Sequence, residues 1–287
     1  MTLLAGPTGL SADEPGATVR VMSFNIRFGT ARDGDNAWPN RRDTVAATIR
    51  AFDPDVLGTQ ETLGFQRDEL LERLPGYAAF GAGRDDGKEA GEMTPIYYKA
   101  DRFEKLDGGH FWLSDTPDVP GSRGWDAALP RVGSWLKLAD KAAPGSPPVI
   151  VVNTHFDHKG VEARKQSGRL IRERVAALDP AASVILTGDF NTAEESPPYK
   201  AVFGPDEAGR PSRLVDTYRA AHPEKAAGEG TFSSWKATPH DGGRIDWIGA
   251  SRDWTVAGAA IDRTNTGGVT PSDHFPVTAV LTRPATR

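Results

Sequence analysis

Residues 19–28 read Val-Arg-Val-Met-Ser-Phe-Asn-Ile-Arg-Phe. Apolar and polar side chains alternate along this stretch, and a period of two belongs to a β-strand with one buried face. Just beyond it the period changes. Residues 43–52 place Val45, Ile49 and Phe52 at helical spacing, and Asp53-Pro54 stops the run. Residues 55–61 (DVLGTQE) predict a second strand, and residues 65–74, with Phe65, Leu70, Leu71 and Leu74, an amphipathic helix closed by Pro75-Gly76.

Strand-like stretches follow at residues 96–98, 102–113, 134–139 and 149–155. Residues 161–178 predict the longest helix, with Leu170, Ile171 and Val175 turned inward, and residues 183–189 a buried strand. Further strands are expected at 244–250, 255–261 and 275–281. The Gly- and Pro-rich stretches 81–94 and 114–130 are long for loops of a compact domain, so both are expected to wall a site. Short strands interleaved with a few amphipathic helices predict an α/β (α+β) fold: two mixed β-sheets packed face to face with helices outside, a four-layer α/β/β/α sandwich. One domain is expected over residues 19–287. Residues 1–18, with a short apolar start and small residues at Leu10-Ser11-Ala12, read as the remnant of a secretion signal, so export is expected over a cytoplasmic location.

The chain has 287 residues, 38% hydrophobic and 25% charged, which excludes a disordered, coiled-coil or collagen-like protein. No apolar run approaches the ~18 residues of a membrane span. Lys and Arg number 34 against 39 Asp and Glu, a net charge of −5. That balance weighs against wrapping a long nucleic acid, whose affinity comes from clustered cations. A small phosphorylated partner is favoured, and a monomer is expected. The chain has no Cys, which removes disulfides, thiolate metal sites and thiol nucleophiles together.

Acids, amides and histidines recur where the expected strands end. Asn25 lies in the first strand, Glu61 ends the second, His155 ends VVNTH, Asp189 and Asn191 end VILTGDFN, Asp246 lies in RIDWI, and Asp273-His274 precede the last strand. Strand ends converge at one edge of an open sheet, where ligands bind. The oxygen donors Asn25, Glu61, Asp189, Asn191 and Asp273 suit a hard cation, Mg²⁺ or Mn²⁺, rather than zinc. Such an ion polarises a phosphoryl oxygen and stabilises the leaving oxygen. A histidine oriented by a carboxylate can deprotonate the attacking water, and Asp246 with His274 is the expected pair. His155 is then expected to give the phosphate a hydrogen bond or a proton.

The ordered set SFNIR, TQE, NTH, GDFN, RIDWI and SDHFP, spread over residues 19–281, resembles the endonuclease/exonuclease/phosphatase superfamily, the relatives of deoxyribonuclease I. The stretches DGDNAWPNRR and NTHFDHKGVEARKQS look like a bacterial subgroup of unassigned substrate. The resemblance implies a phosphoesterase that hydrolyses a phosphodiester or phosphomonoester by in-line attack of water, with no covalent intermediate. It also implies that Glu61 is the principal metal ligand, beside Asn25 and with Asp273 completing the shell. His155 would contact the phosphate, Asp189 and Asn191 would orient the water and hold the phosphate or a second ion, and Asp246 would pair with His274. No basic DNA-binding insertion is evident, so a nuclease is the alternative reading; a binding protein that keeps the fold without turnover is another.

Weaker candidates surround this set. The resemblance places a phosphate-contacting side chain near Tyr97 or Tyr98, where a tyrosine is ordinarily a packing residue. Arg84 and Lys88 stand in a long loop and can reach a substrate phosphate. His158, three residues past His155, is expected on the opposite face, as a loop residue touching substrate. Arg131 reads as solvated surface charge, and His240 and Trp235 are assigned no role. The plain reading of Asp189 and Asn191 is an Asx-turn after a strand. A glycosidase built on two carboxylates leaves both histidines and the GDFN motif idle.

Overall fold

The computed structural model describes residues 18–283, so the expected signal remnant, apart from Thr18 at the start of the first strand, lies outside the described residues. In chain order the elements are β1 (Thr18–Asn25), α1 (Trp38–Phe52), β2 (Val56–Gln60), α2 (Gly64–Arg73), β3 (Tyr77–Phe80), β4 (Ile96–Lys99), β5 (Phe103–Trp112), β6 (Val132–Asp140), β7 (Val149–His155), α3 (Val161–Ala177), β8 (Ser183–Asp189), α4 (Pro197–Phe203), β9 (Leu214–Asp216), α5 (Thr217–Ala221), β10 (Asp246–Ser251), β11 (Thr255–Ile261) and β12 (Val277–Thr282). They form two six-stranded sheets, in the orders β11-β12-β1-β2-β4-β3 and β5-β6-β7-β8-β10-β9. Each sheet is mixed: β1 runs parallel to β2 and β7 to β8, and the other pairs are antiparallel.

Strand periodicity decides what each layer holds. Val19, Val21, Val56, Val149, Val151, Ile185, Ile248 and Leu281 are buried in one cluster between the sheets. The alternate residues Met22, Phe24 and Leu57 pack outward against Val45 and Ile49 of α1 and Leu70 of α2. On the second sheet Ile150, Val152, Leu186 and Trp247 pack outward against Ile171 and Val175 of α3 and Val202 of α4. Helices therefore cover both outer faces, giving the expected α/β/β/α sandwich. Full burial of each large aliphatic side chain contributes about 1.5–3 kcal/mol.

The inner face changes character along the strands. On β1 the inward residues run Val19, Val21, Ser23, Asn25; on β7, Val149, Val151, Asn153, His155; on β8, Ile185, Thr187, Asp189. A buried amide layer separates the apolar half from the acids. The Gln60 Nε2 donates to Asn153 Oδ1 at 2.7 Å, Thr187 Oγ1 donates to the same oxygen at 3.0 Å, and Asn153 Nδ2 donates to the carbonyls of Thr59 and Pro95 at 2.7 and 2.9 Å. The sheets close tightly here because β2 carries Gly58, where a Cβ would stand 2.1 Å from Thr187 Oγ1.

Several bounds differ from the sequence expectation for identifiable reasons. β1 ends at Asn25 rather than residue 28 because Arg27 has φ +58° and its N–H donates to Asn25 Oδ1 instead of a sheet partner. α1 begins at Trp38 rather than residue 43, with Pro39 in its first turn, where a missing N–H costs nothing. β10 begins at Asp246 rather than residue 244; Arg244 is buried in an ion cluster with Glu194 and Asp216. β3, α4, β9 and α5 went unread: with three to seven residues each, they are too short for periodicity to speak. Among the described residues no helix is long and apolar enough to cross a membrane.

Candidate active site

Sheet register assembles the centre of the site. β7, β8 and β10 lie side by side, and their pairing sets His155 beside Asp189 and Asp189 beside Asp246. Opposite them, β1 ends at Asn25 and Glu61 follows β2, while Asp273 and His274 stand just before β12. Arg27, Glu61 and Asn191 turn the chain away at these ends with φ of +58°, +58° and +48°. Each such backbone costs a non-glycine residue about 1–3 kcal/mol, and such residues cluster at functional sites. Local hydrogen bonds hold the turns: Asn191 N donates to Asp189 Oδ1 at 2.9 Å, and Phe28 N to Glu61 Oε2 at 3.1 Å.

Asn25 is fully buried and tied to both carboxylates. Its Nδ2 donates to Glu61 Oε1 at 3.1 Å and to Asp189 Oδ2 at 2.9 Å, while its Oδ1 accepts from Arg27 N at 2.9 Å. A backbone N–H only donates, so that last bond fixes which way the amide points. Asn25 thus turns its NH₂ toward the acids and spends its oxygen on the backbone. In this arrangement Asn25 bridges the carboxylates that face the cleft.

His274 lies between two acids. Its Nδ1 is 2.9 Å from Asp246 Oδ2 and its Nε2 is 3.8 Å from Asp189 Oδ2, with all three residues buried. The second oxygen of Asp246, Oδ1, is buried without a hydrogen-bond partner. Burial opposes the charged form of His274, but Asp246 and Asp189 outweigh it, so the imidazole holds its proton well above its ordinary range. Asp189 moves the other way. Burial and the neighbouring Asp246 push its carboxyl up to about 7, against the pull of His274 and the bonds from Asn191 and Asn25. Burial likewise raises Asp273, opposed by His274.

On the other flank of Asp189 stands His155, with Nε2 3.4 Å from Asp189 Oδ2. Arg131 Nη1 meets His155 Nδ1 at 3.0 Å, Arg131 Nη2 meets His158 Nδ1 at 2.9 Å, and Arg131 Nε is 3.4 Å from Asp157 Oδ2. Burial, then the charges of Arg131 and Arg84, hold His155 well below the ordinary histidine range. Two expectations change here. Arg131 is no surface charge but is 4% exposed inside the site. His158 does not point away from His155: β7 ends at His155, the chain turns, and both rings meet one guanidinium.

Arg84 lines the same cleft, bonded to Glu92 at 2.7 Å; Glu92, which the sequence reading passed over, is raised by burial. Lys88 is exposed on the outer part of that loop and does not line the cleft. Tyr97 is corrected as well. It is fully buried in the cluster beneath α1 and α2, because β4 turns it outward and away from the site, and Tyr98 packs between the sheets.

The cleft has a volume of about 1340 Å³. Of the two loops expected to wall it, 81–94 contributes Arg84 and Glu92, and 114–130 contributes Leu129. The larger wall is residues 232–243, including Phe232, Trp235, Lys236, Pro239 and His240. Ser234 and Trp235 have φ of +49° and +66°. The Arg41 guanidinium lies 5.0 Å from the Trp38 ring and 5.2 Å from the Trp235 ring, which ties the wall to α1. The usable signal was a single Trp among turn residues, TFSSWKATPHDGG, directly upstream of RIDWI.

Among the described residues two groups of side chains offer ligand atoms within 4.8 Å of one another: Glu61, His155 and Asp189, and Asp189, Asp246 and His274. In the second, His274 Nδ1 is engaged by Asp246, so the first lies nearer a usable cation site. Arg27 approaches Glu61 and Asp273 only to 3.9 and 3.7 Å, its closer bonds at 3.0 Å going to Asp33. The acids at this end therefore fit a divalent cation that their own neighbours do not replace.

Comparison with known proteins agrees with this fold. A structure from Bacteroides thetaiotaomicron described as an endonuclease/exonuclease/phosphatase family protein is 35% identical, with TM-score 0.85, covering 94% of this chain and 99% of that one. A mannosyl-6-phosphatase of the same organism is 35% identical, with TM-score 0.83, covering 92% and 99%. An uncharacterized protein of Acanthamoeba polyphaga mimivirus is 30% identical over 187 residues, 62% of this chain and 68% of its own. The sequence model of the Endonuclease/Exonuclease/phosphatase family matches residues 22–274, and the chain belongs to that family.

Proposed function

We propose that the chain is a Mg²⁺-dependent phosphoesterase acting on a small phosphorylated molecule, a sugar phosphate above all. The observation that carries this reading is the buried Asp246–His274–Asp189 row, facing the Asn25-bridged pair of Glu61 and Asp189. Glu61 and Asp273 would hold the cation, whose chemistry when bound is to polarise the phosphoryl group and offset charge on the leaving oxygen.

The protein's own groups divide the remaining work. Asp189, raised to about 7, is poised to take a proton from water near neutral pH. The water oxygen bonds to phosphorus as the ester P–O bond opposite it breaks. His274 was expected to be the base; holding its proton, it instead donates toward the phosphoryl oxygens, and Asp246 keeps it charged and oriented. His155 and Asn191 flank the same point from β7 and the GDFN turn.

Two observations favour a small substrate. Arg27 and Arg84 are bonded to Asp33 and Glu92, and Arg131 is buried against two histidines, so these three cleft arginines are engaged inside the protein and not presented to a polyanion. The mannosyl-6-phosphatase similar over almost its whole length supports a sugar phosphate. The test is hydrolysis of mannose 6-phosphate, inositol phosphates, bis-p-nitrophenyl phosphate and an oligonucleotide, with Mg²⁺, Mn²⁺ or EDTA. Metal-dependent release of phosphate from a sugar phosphate is expected. Preference for the oligonucleotide, with steep salt dependence, would replace this reading with a nuclease.

A further inference from the structure

Among the described residues Arg131 is the one side chain that bonds both cleft histidines of β7 and its following turn. A guanidinium has five N–H donors and no acceptor, and it stays charged. A ring nitrogen that faces it at hydrogen-bond distance therefore carries no proton. Arg131 faces Nδ1 of His155 at 3.0 Å and Nδ1 of His158 at 2.9 Å. Its own place is fixed by burial and by Asp157, which also accepts from the backbone of Lys159 at 2.9 Å and Gly160 at 2.7 Å.

We propose that Arg131 is a positioning residue that locks both imidazoles in the tautomer with the proton on Nε2, turning His155 and His158 into aimed N–H donors. The proposal deepens the phosphoesterase reading and rests on it for the use made of those donors. One consequence is visible at His155. Asn191 Nδ2 lies 3.0 Å from His155 Nε2 and also 3.0 Å from Phe156 O. The amide donates one hydrogen to that carbonyl; against a ring nitrogen that carries a proton its 3.0 Å approach is a close contact of two donors and not a hydrogen bond. The His155 Nε2–H then faces Asp189 Oδ2 at 3.4 Å, and a phosphoryl oxygen placed at this point would take over that donor. A second consequence concerns the cation. With Nδ1 engaged by Arg131 and Nε2 protonated, His155 offers no lone pair, so a cation at this end of the cleft is left with oxygen donors such as Glu61 and Asp273, the chemistry of a hard ion.

The test reads proton positions directly. Imidazole ¹⁵N spectra of the metal-free full-length protein at pH 7, with resonances assigned through His155→Gln and His158→Gln, are expected to show the Nε2–H pattern for both rings. A wild-type ring with its proton on Nδ1, or on both nitrogens, overturns the lock whether or not the protein hydrolyses phosphate. In Arg131→Lys one ammonium cannot reach both rings in the same geometry, so at least one ring is expected to lose the pattern. Calorimetry with Zn²⁺ is then expected to show at least about tenfold tighter binding, and kcat to fall about 10–100-fold with KM within about threefold, the size seen when partners that orient active-site histidines are removed. Unchanged ring spectra in a folded Arg131→Lys protein would also overturn the proposal. The wild-type spectra decide the matter even if the variant does not fold.

Discussion

The floor of the cleft and its largest wall are built in opposite ways. The floor consists of Asn25, His155, Asp189, Asp246 and His274, all buried, on or directly beside strands, and joined to one another at 2.9–3.8 Å. The wall is the loop 232–243, whose Ser234 and Trp235 adopt left-handed backbone and whose Trp235 is fixed from outside by Arg41. Sheet register tolerates no sliding where one face is buried, so the floor is rigid and suited to chemistry. A loop changes shape with few consequences for the core, so under the proposed function the wall is the part expected to choose the substrate.

The largest expected effect lies in the floor. Asp189→Asn and His274→Ala are each expected to lower kcat at least ~10²-fold while the protein stays folded, checked by steady-state kinetics beside circular dichroism. Activity near wild type in both would erase the distinction between floor and wall. The pH profile sharpens it. In the proposed mechanism Asp189 takes the water's proton, which it can do only when deprotonated, and burial and Asp246 push its carboxyl up to about 7. kcat/KM should therefore rise about tenfold per pH unit up to about pH 7 and level off above; a flat profile from pH 5 to 8 would remove Asp189 from that role.

Trp235→Ala tests the wall. Loss of one aromatic contact, worth about 0.5–1.5 kcal/mol, should raise KM roughly 2- to 12-fold with little change in kcat. A fall in kcat as deep as that of the floor variants would show that the wall takes part in the chemistry. The smallest effects belong to residues the structure removes from the site. Lys88→Ala and Tyr97→Phe are each expected to leave kcat/KM within about twofold of wild type, because neither lines the cleft.

The same contrast explains what the chain reveals before it is folded. Asn25, His155 and Asp189 could be read because each follows an apolar strand at a period of two, so the register that buries Val21, Val151 and Ile185 also gathers the polar ends. Glu92, Arg131 and Trp235 could not, since their positions depend on contacts far along the chain: Arg84 for the first, His155 and His158 for the second, Arg41 for the third. Tyr97 was misplaced because one step along a strand reverses a side chain's face. The amide direction of Asn25 and the retained proton of His274 depend on hydrogen bonds and buried charge, which spacing does not encode.

The most direct test of a catalytic floor is release of inorganic phosphate from mannose 6-phosphate with saturating Mg²⁺ at pH 8, wild type beside Asp189→Asn. Turnover by the wild type that falls at least ~10²-fold in the variant is the expected result. Equal turnover in the two proteins would contradict it.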